Sequence, residues 1–300
     1  MTSRRLVLLG AIGGATGAAE ALGDEQRRWI AGSPAWRFAP EADYGPFVYR
    51  GTDGRAQGLS IDLLELVMAT TGLKVEHLPT QPLAGILDGL RRGEIDFASS
   101  LRPTPERGAY LAFTRPYVEI PTVLATRPGG PRRTFAELAG RRVAVGADYA
   151  VEPHVRRRYP RVDWVAVPSD SEGVAGVIEG RFEAVVLDVA SLAFVTQMQR
   201  LSPLVVVEGV GFEYALSFAV RKDLPVLVDV LDAALLDIPA GRREALVDRW
   251  LGPYAPQLTT PTSRRGLDIG TGLIGAAGVL AAVGVWRSRR RRRTAGVHGR

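Results

Sequence analysis

Apolar residues fall at helical spacing over residues 59–71 (Leu59, Leu63, Leu66, Val67), and Gly72 stops that run. Residues 83–92 predict a second helix closed by Gly93. Short alternating or apolar runs around these helices predict strands at 36–39, 47–49, 74–78 and 95–98, with Thr52-Asp53-Gly54 as a hairpin turn. A second strand–helix series follows. It comprises strands at 142–146, 164–167, 184–187, 204–207 and 215–220. The helices of this series fall at 149–159, 171–179, 190–199, 225–237 and 240–251, with a short one at 135–138. Strands alternating with helices in two successive series predict α/β layering in two lobes. Residues 254–268, rich in Pro and Thr, read as a linker.

Both ends carry a different pattern. Arg4 and Arg5 precede an apolar, Gly-rich stretch, and Ala19-Glu20-Ala21 has the spacing of a cleavage site. Residues 1–21 are therefore expected to be an export signal, either general secretory or, from Ser3-Arg4-Arg5-Leu6, twin-arginine. Residues 269–286 are 18 positions without a charge, ending at Trp286, and predict one short C-terminal transmembrane helix. Arg287, Arg289 to Arg293 and Arg300 follow it, so the positive-inside rule puts 287–300 in the cytoplasm and the body outside the cytoplasmic membrane.

That placement changes the meaning of the charge. The 300 residues carry +6 and a pI near 9.9, which alone would suggest nucleic acid as a partner. Seven of the arginines sit in the tail, and without them residues 1–286 stand at −1. The body is nearly neutral and no nucleic-acid partner is expected. The chain has no cysteine, which excludes disulfides, thiolate metal sites and cysteine nucleophiles. His77, His154 and His298 are far apart, so no metal site is expected, nor any cofactor.

Six stretches stand together in one order: 44–49 (YGPFVY), 58–63 (GLSIDL), 87–96 (LDGLRRGEID), 99–107 (SSLRPTPER), 113–117 (FTRPY) and 180–188 (GRFEAVVLD). In these the chain resembles the bacterial extracellular solute-binding proteins of family 3, the polar amino-acid class, over residues 36–253. The resemblance implies a type II periplasmic-binding-protein clamshell, with the ligand between two α/β lobes. Lobe 1 would comprise 36–125 with 212–253 and lobe 2 126–211, with crossings near 124–127 and 208–212.

The resemblance also implies a site. Arg107 would pair with a ligand carboxylate and Asp188 with an ammonium; the alternatives are a surface arginine and a helix N-cap for 190–199. Ser99 and Ser100 would line the cleft, and Tyr44 and Leu83 would pack on the ligand. Glu41 lies where some relatives recognise a basic side chain. Arg102 and Asp148 depart from the family pattern: Arg102 suggests an anionic ligand, and a cleft-facing Asp148 would repel a carboxylate. The expected function is capture of a polar amino acid or similar solute for an ABC permease. The alternatives are a ligand-sensing domain for a separate signalling partner, and a cyclohexadienyl dehydratase-like enzyme using Glu41 or Asp148. No catalytic residue is assigned.

Overall fold

The computed structural model describes residues 22–254. The expected signal and transmembrane segments lie outside these residues. Among the described residues no helix is long and apolar enough to cross a membrane.

The chain runs α1 (Asp24–Gly32), β1 (Trp36–Ala39), β2 (Asp43–Tyr44), β3 (Val48–Arg50), β4 (Ala56–Gln57), α2 (Leu59–Thr71), β5 (Val75–His77), α3 (Leu83–Arg92), β6 (Phe97–Leu101), β7 (Leu111–Phe113) and β8 (Val118–Thr126). It continues through β9 (Arg142–Gly146), α4 (Val151–Arg158), β10 (Asp163–Val167), α5 (Asp170–Ile178), β11 (Ala184–Asp188), α6 (Val189–Met198), β12 (Val205–Arg221), α7 (Pro225–Asp237) and α8 (Ala240–Leu251). Local chemistry sets several boundaries. Gly72 and Gly93 take the left-handed conformation that ends α2 and α3, where a Cβ would be strained. The Ser169 side chain accepts from Glu172 N–H and caps α5.

One sheet joins the strands in the order β10-β9-β11-β8-β12-β6-β1-β5, with β7 also on β12. Its two halves define the lobes. In lobe 1, β1 pairs in parallel with β5 and β6, over a core that includes Phe38, Phe97, Phe218, Leu227 and Leu231. In lobe 2, β9 pairs in parallel with β10 and β11, around Val143, Val145, Val174 and Leu187. A separate hairpin sheet, β2-β3-β4, stands on lobe 1 beside α2. The apolar runs of β9 and β11 are buried throughout, as strands covered on both faces require.

Two strands link the halves. β8 and β12 pair antiparallel from Val205↔Thr126 to Leu216↔Val118. The register slips between Gly209↔Val123 and Glu213↔Pro121, so that Val210, Gly211 and Phe212 bulge from β12 opposite Thr122. The sequence pattern divided this segment into strands at 204–207 and 215–220, because the bulge and two glycines break the alternation. It is one 17-residue strand. The pattern also leaves out α1, β7 and most of β8. Pro121 and the charged Glu119 mask β8, whose neighbour β12 supplies its pairing.

Candidate functional site

Lobe 1 supplies one wall of the cleft. Ser100, the last residue but one of β6, takes a positive φ of 61°. Ser100 N–H donates to Tyr117 Oη at 2.7 Å, and the Ser100 and Ser60 hydroxyls lie 2.8 Å apart. The short 3-10 turn Arg107–Ala109 then presents a buried guanidinium. Glu41 comes from the segment before β2, Tyr44 from β2 itself, and Leu83 from the first turn of α3. These residues, with Arg102, Leu101, Tyr149, Ala150 and Tyr214, line a small cavity between the lobes.

Lobe 2 supplies the other wall from the C-terminal ends of its parallel strands, where α/β folds place their ligands. After β9, Tyr149 reaches across and donates its hydroxyl to Glu41 Oε1 at 2.7 Å. The Asp148 carbonyl accepts from Arg107 Nη2 at 2.9 Å, while Arg107 Nη1 donates to the Arg102 carbonyl. At α5, Ser171 Oγ donates to Asp43 Oδ1 at 2.9 Å. Asp188, 1% exposed, accepts from Ser191 N–H at 2.8 Å and from Ser191 Oγ at 2.7 Å. Three polar contacts thus tie the lobes together.

Burial dominates the electrostatics. It pushes the Glu41 carboxyl up to about 7, against the hydrogen bond from Tyr149 and the charge of Arg107. Asp188 rises to about 6 by the same cause, although the Ser191 bonds favour its charged form. Asp170 rises well above the ordinary aspartate value through burial and the neighbouring Asp188. Burial lowers Arg107 and raises the phenols of Tyr44, Tyr149 and Tyr214.

Six of the residues singled out in the sequence meet at the cavity: Arg107, Ser100, Tyr44, Leu83, Arg102 and Glu41. Ser99 is buried beside them, with its hydroxyl unpartnered among the described residues. Arg102 places its guanidinium 4.1 Å from the Phe212 ring centroid, against the bulge of β12. Asp148 is exposed and offers its carbonyl to the cleft, not its carboxylate. Asp188 is the N-cap of α6. Pattern alone missed Tyr149, Tyr214, Asp170 and the Ser60–Tyr117 pair. Tyr149 was within reach, as the large residue next to the departure at Asp148; Asp170 looked like an ordinary first-turn acid.

The N-cap has a measurable consequence. Asp188→Ala should lower unfolding free energy by about 1 kcal/mol, an ordinary cap loss and not a larger one because it also relieves Asp170 of a like charge. Urea denaturation of Asp188→Ala and Ser191→Ala checks this, and stabilities equal to wild type would show that the capping bonds contribute nothing.

Two α/β lobes joined by paired strands, with polar groups from both facing one cleft, define a solute-binding clamshell. The chain belongs to the bacterial extracellular solute-binding proteins, family 3, whose profile matches residues 36–253. It is 29% identical over 255 residues to the virulence sensor protein BvgS of Bordetella pertussis, covering 84% of this chain and 21% of that protein. It thus spans about a fifth of that sensor's length. It is also 25% identical over 221 residues to the ABC transporter arginine-binding protein 1 of Escherichia coli, covering 71% of this chain and 89% of that protein. The crystal structure of the BvgS periplasmic VFT2 domain superposes with a TM-score of 0.69 and 27% identity, over 77% of this chain and 99% of that one.

Proposed function

We propose that this chain is an extracytoplasmic sensing module that closes on a small polar solute and reports its closure at the end of α8. The carrying observation is a contact. Phe194 of lobe 2 lies between Tyr49 of the hairpin sheet, at 4.8 Å, and Tyr254 where the described chain ends, at 6.1 Å. The position of lobe 2 thereby bears on the segment leading toward residues 255–300. Similarity to a sensor protein over 84% of the chain supports the same reading. In this proposal residues 1–21 direct export, 269–286 anchor the domain in the cytoplasmic membrane, and 287–300 remain cytoplasmic. Between them, 36–125 with 212–253 and 126–211 act as the lobes and 254–268 as the linker.

The solute we propose is an amino acid or a close relative. Arg107 would exchange its two carbonyl acceptors for the ligand, with Ser99, Ser100, Tyr44 and Leu83 around it. Because Arg107 and Asp188 sit on opposite lobes, a ligand touching both would gain its full binding energy only on closure. Capture for a permease is the second reading, favoured by the match that covers 89% of an arginine-binding transporter component.

Thermal shifts of the full-length chain against amino acids and amines test capture. Solute at about 100 times its Kd should stabilise the domain by about 2.7 kcal/mol, and Arg107→Ala should lose most of that gain. Equal stabilisation of the variant would remove Arg107 from the site. Hydrogen exchange separates the two readings. Sensing requires ligand to change protection at residues 250–254, whereas capture for transport leaves it unchanged.

A further inference from the structure

The cavity between the lobes measures about 10 Å3, room for one water molecule. Small-molecule sites ordinarily enclose about 300 Å3 or more. Much of the cleft is filled by the protein itself. Tyr149 is 5% exposed; its ring lies edge-on to Tyr44 at 5.6 Å, and its hydroxyl donates to Glu41 Oε1 at 2.7 Å.

The turn after β9 sets that ring in place. Asp148 takes a positive φ of 63°, and its N–H donates to Glu152 of α4 at 3.0 Å. Tyr149 N–H donates to the carbonyl of Gly146, the last residue of β9. The ring packs on the bare backbone of Gly146, where a Cβ would lie 2.6 Å from Tyr149 Cδ2. The same turn presents the Asp148 carbonyl to Arg107 Nη2 at 2.9 Å. It thus offers lobe 1 what a solute would offer: an acceptor for the guanidinium and a donor for Glu41.

We propose that Tyr149 sets the size limit of the solute, so that the preferred solute is an amino acid with a short side chain, such as alanine or serine. A carboxylate can displace the Asp148 carbonyl from Arg107, because a bond between two charged groups is the stronger one. The phenol is held more firmly, by Glu41 at its hydroxyl, Tyr44 at its edge and Gly146 beneath it. A solute side chain must then fit in what the ring leaves beside Leu83, Leu101 and Tyr214. This assignment rests on the solute-capture reading and names the class of solute.

Thermal shifts of full-length wild type, Tyr149→Ala and Tyr149→Phe against L-alanine, L-norleucine and L-glutamine test it, each measured from the unliganded melting temperature of the same variant. Wild type should bind alanine about tenfold more tightly than either longer solute. Tyr149→Ala should bind norleucine and glutamine about tenfold more tightly than wild type does, because the overpacking beside the ring is gone. Tyr149→Phe keeps the ring, loses only its bond to Glu41, and should keep the limit. Tyr149→Leu is the further variant, in case Tyr149→Ala misfolds, and should gain both longer solutes about threefold. Equal binding of the longer solutes to wild type and to the shortened variants overturns the proposal and leaves solute capture standing. A gain for glutamine alone, equal in Tyr149→Ala and Tyr149→Phe, would trace the effect to the freed Glu41 acceptor and overturn it equally. No shift with any of the three solutes in any variant also overturns it, and the wider panel of amino acids and amines then decides whether capture itself stands.

Discussion

Raising the pH from about 5 to about 8 should weaken the closed domain by about 3 kcal/mol through Glu41 alone. Its carboxyl is pushed up to about 7, from an ordinary 4.5, chiefly by burial. The folded state therefore holds this proton over a pH range in which the unfolded chain has released it. Stability from this group is fully present below about 4.5 and is lost as pH rises through about 7. Asp188, raised to about 6, acts in the same direction at lower pH, and Asp170 adds to it. Arg107 favours the charged Glu41 and Asp43 opposes it, so the slope belongs to the whole cluster. Because Tyr149 bonds Glu41 across the cleft, part of the loss should appear as opening of the lobes. Urea denaturation at four pH values from 5 to 8, on wild type and Glu41→Gln, checks this. Wild type should lose stability with rising pH, and the variant should lose clearly less, keeping only the part due to Asp188 and Asp170. Stability that rises toward pH 8, or parallel profiles, would refute the assignment.

Phe194→Ala should cost about 3 kcal/mol, in the range for deleting a buried aromatic ring. The ring is 6% exposed and packs against residues distant in sequence. It contacts Tyr49 and Tyr254, and it sits so close to Gly45 that a Cβ there would lie 2.1 Å from Phe194 Cε1. Removing it deletes much of the apolar contact between α6, the hairpin sheet and the end of α8. For a domain of this size the melting temperature should fall by about 8 °C. Small-angle scattering should show a larger radius of gyration as the cleft opens. Gly45→Ala approaches the same contact from the other side, by overfilling it, and should open the cleft with a smaller loss of stability. An unchanged radius in both variants would mean that this contact does not hold the lobes together.

Much of the fold was legible because the helices and parallel strands announce themselves locally. α2, α3, β9, α7 and α8 fall on the predicted residues, since periodicity and stop residues mark them without tertiary help. β8 did not, because a strand with Pro121 and Glu119 makes sense only beside β12. The site divides in the same way. Residues in contiguous motifs, such as Ser100 and Arg107, could be placed from sequence. Tyr149, Asp170 and Tyr214 come from three separate segments that only the folded chain brings together, and burial, which creates their electrostatics, leaves no mark in the chain.

The path of the chain has a mechanical consequence. Leu22 N–H donates to Asp237 of α7, and the described chain ends at Tyr254, so both ends lie on lobe 1. Lobe 2 hangs from β8 and β12 as a side branch. Tension along the polypeptide from residue 22 to residue 254 therefore bypasses lobe 2 almost entirely. In the proposed sensing role, work done by closure would instead cross the edge-on rings of Phe194 and Tyr254. Dispersion contact loses a quarter to a half of its strength within about 1 Å of separation. Such an output would behave like a latch that engages over a short travel, not like a spring whose force grows along the stroke.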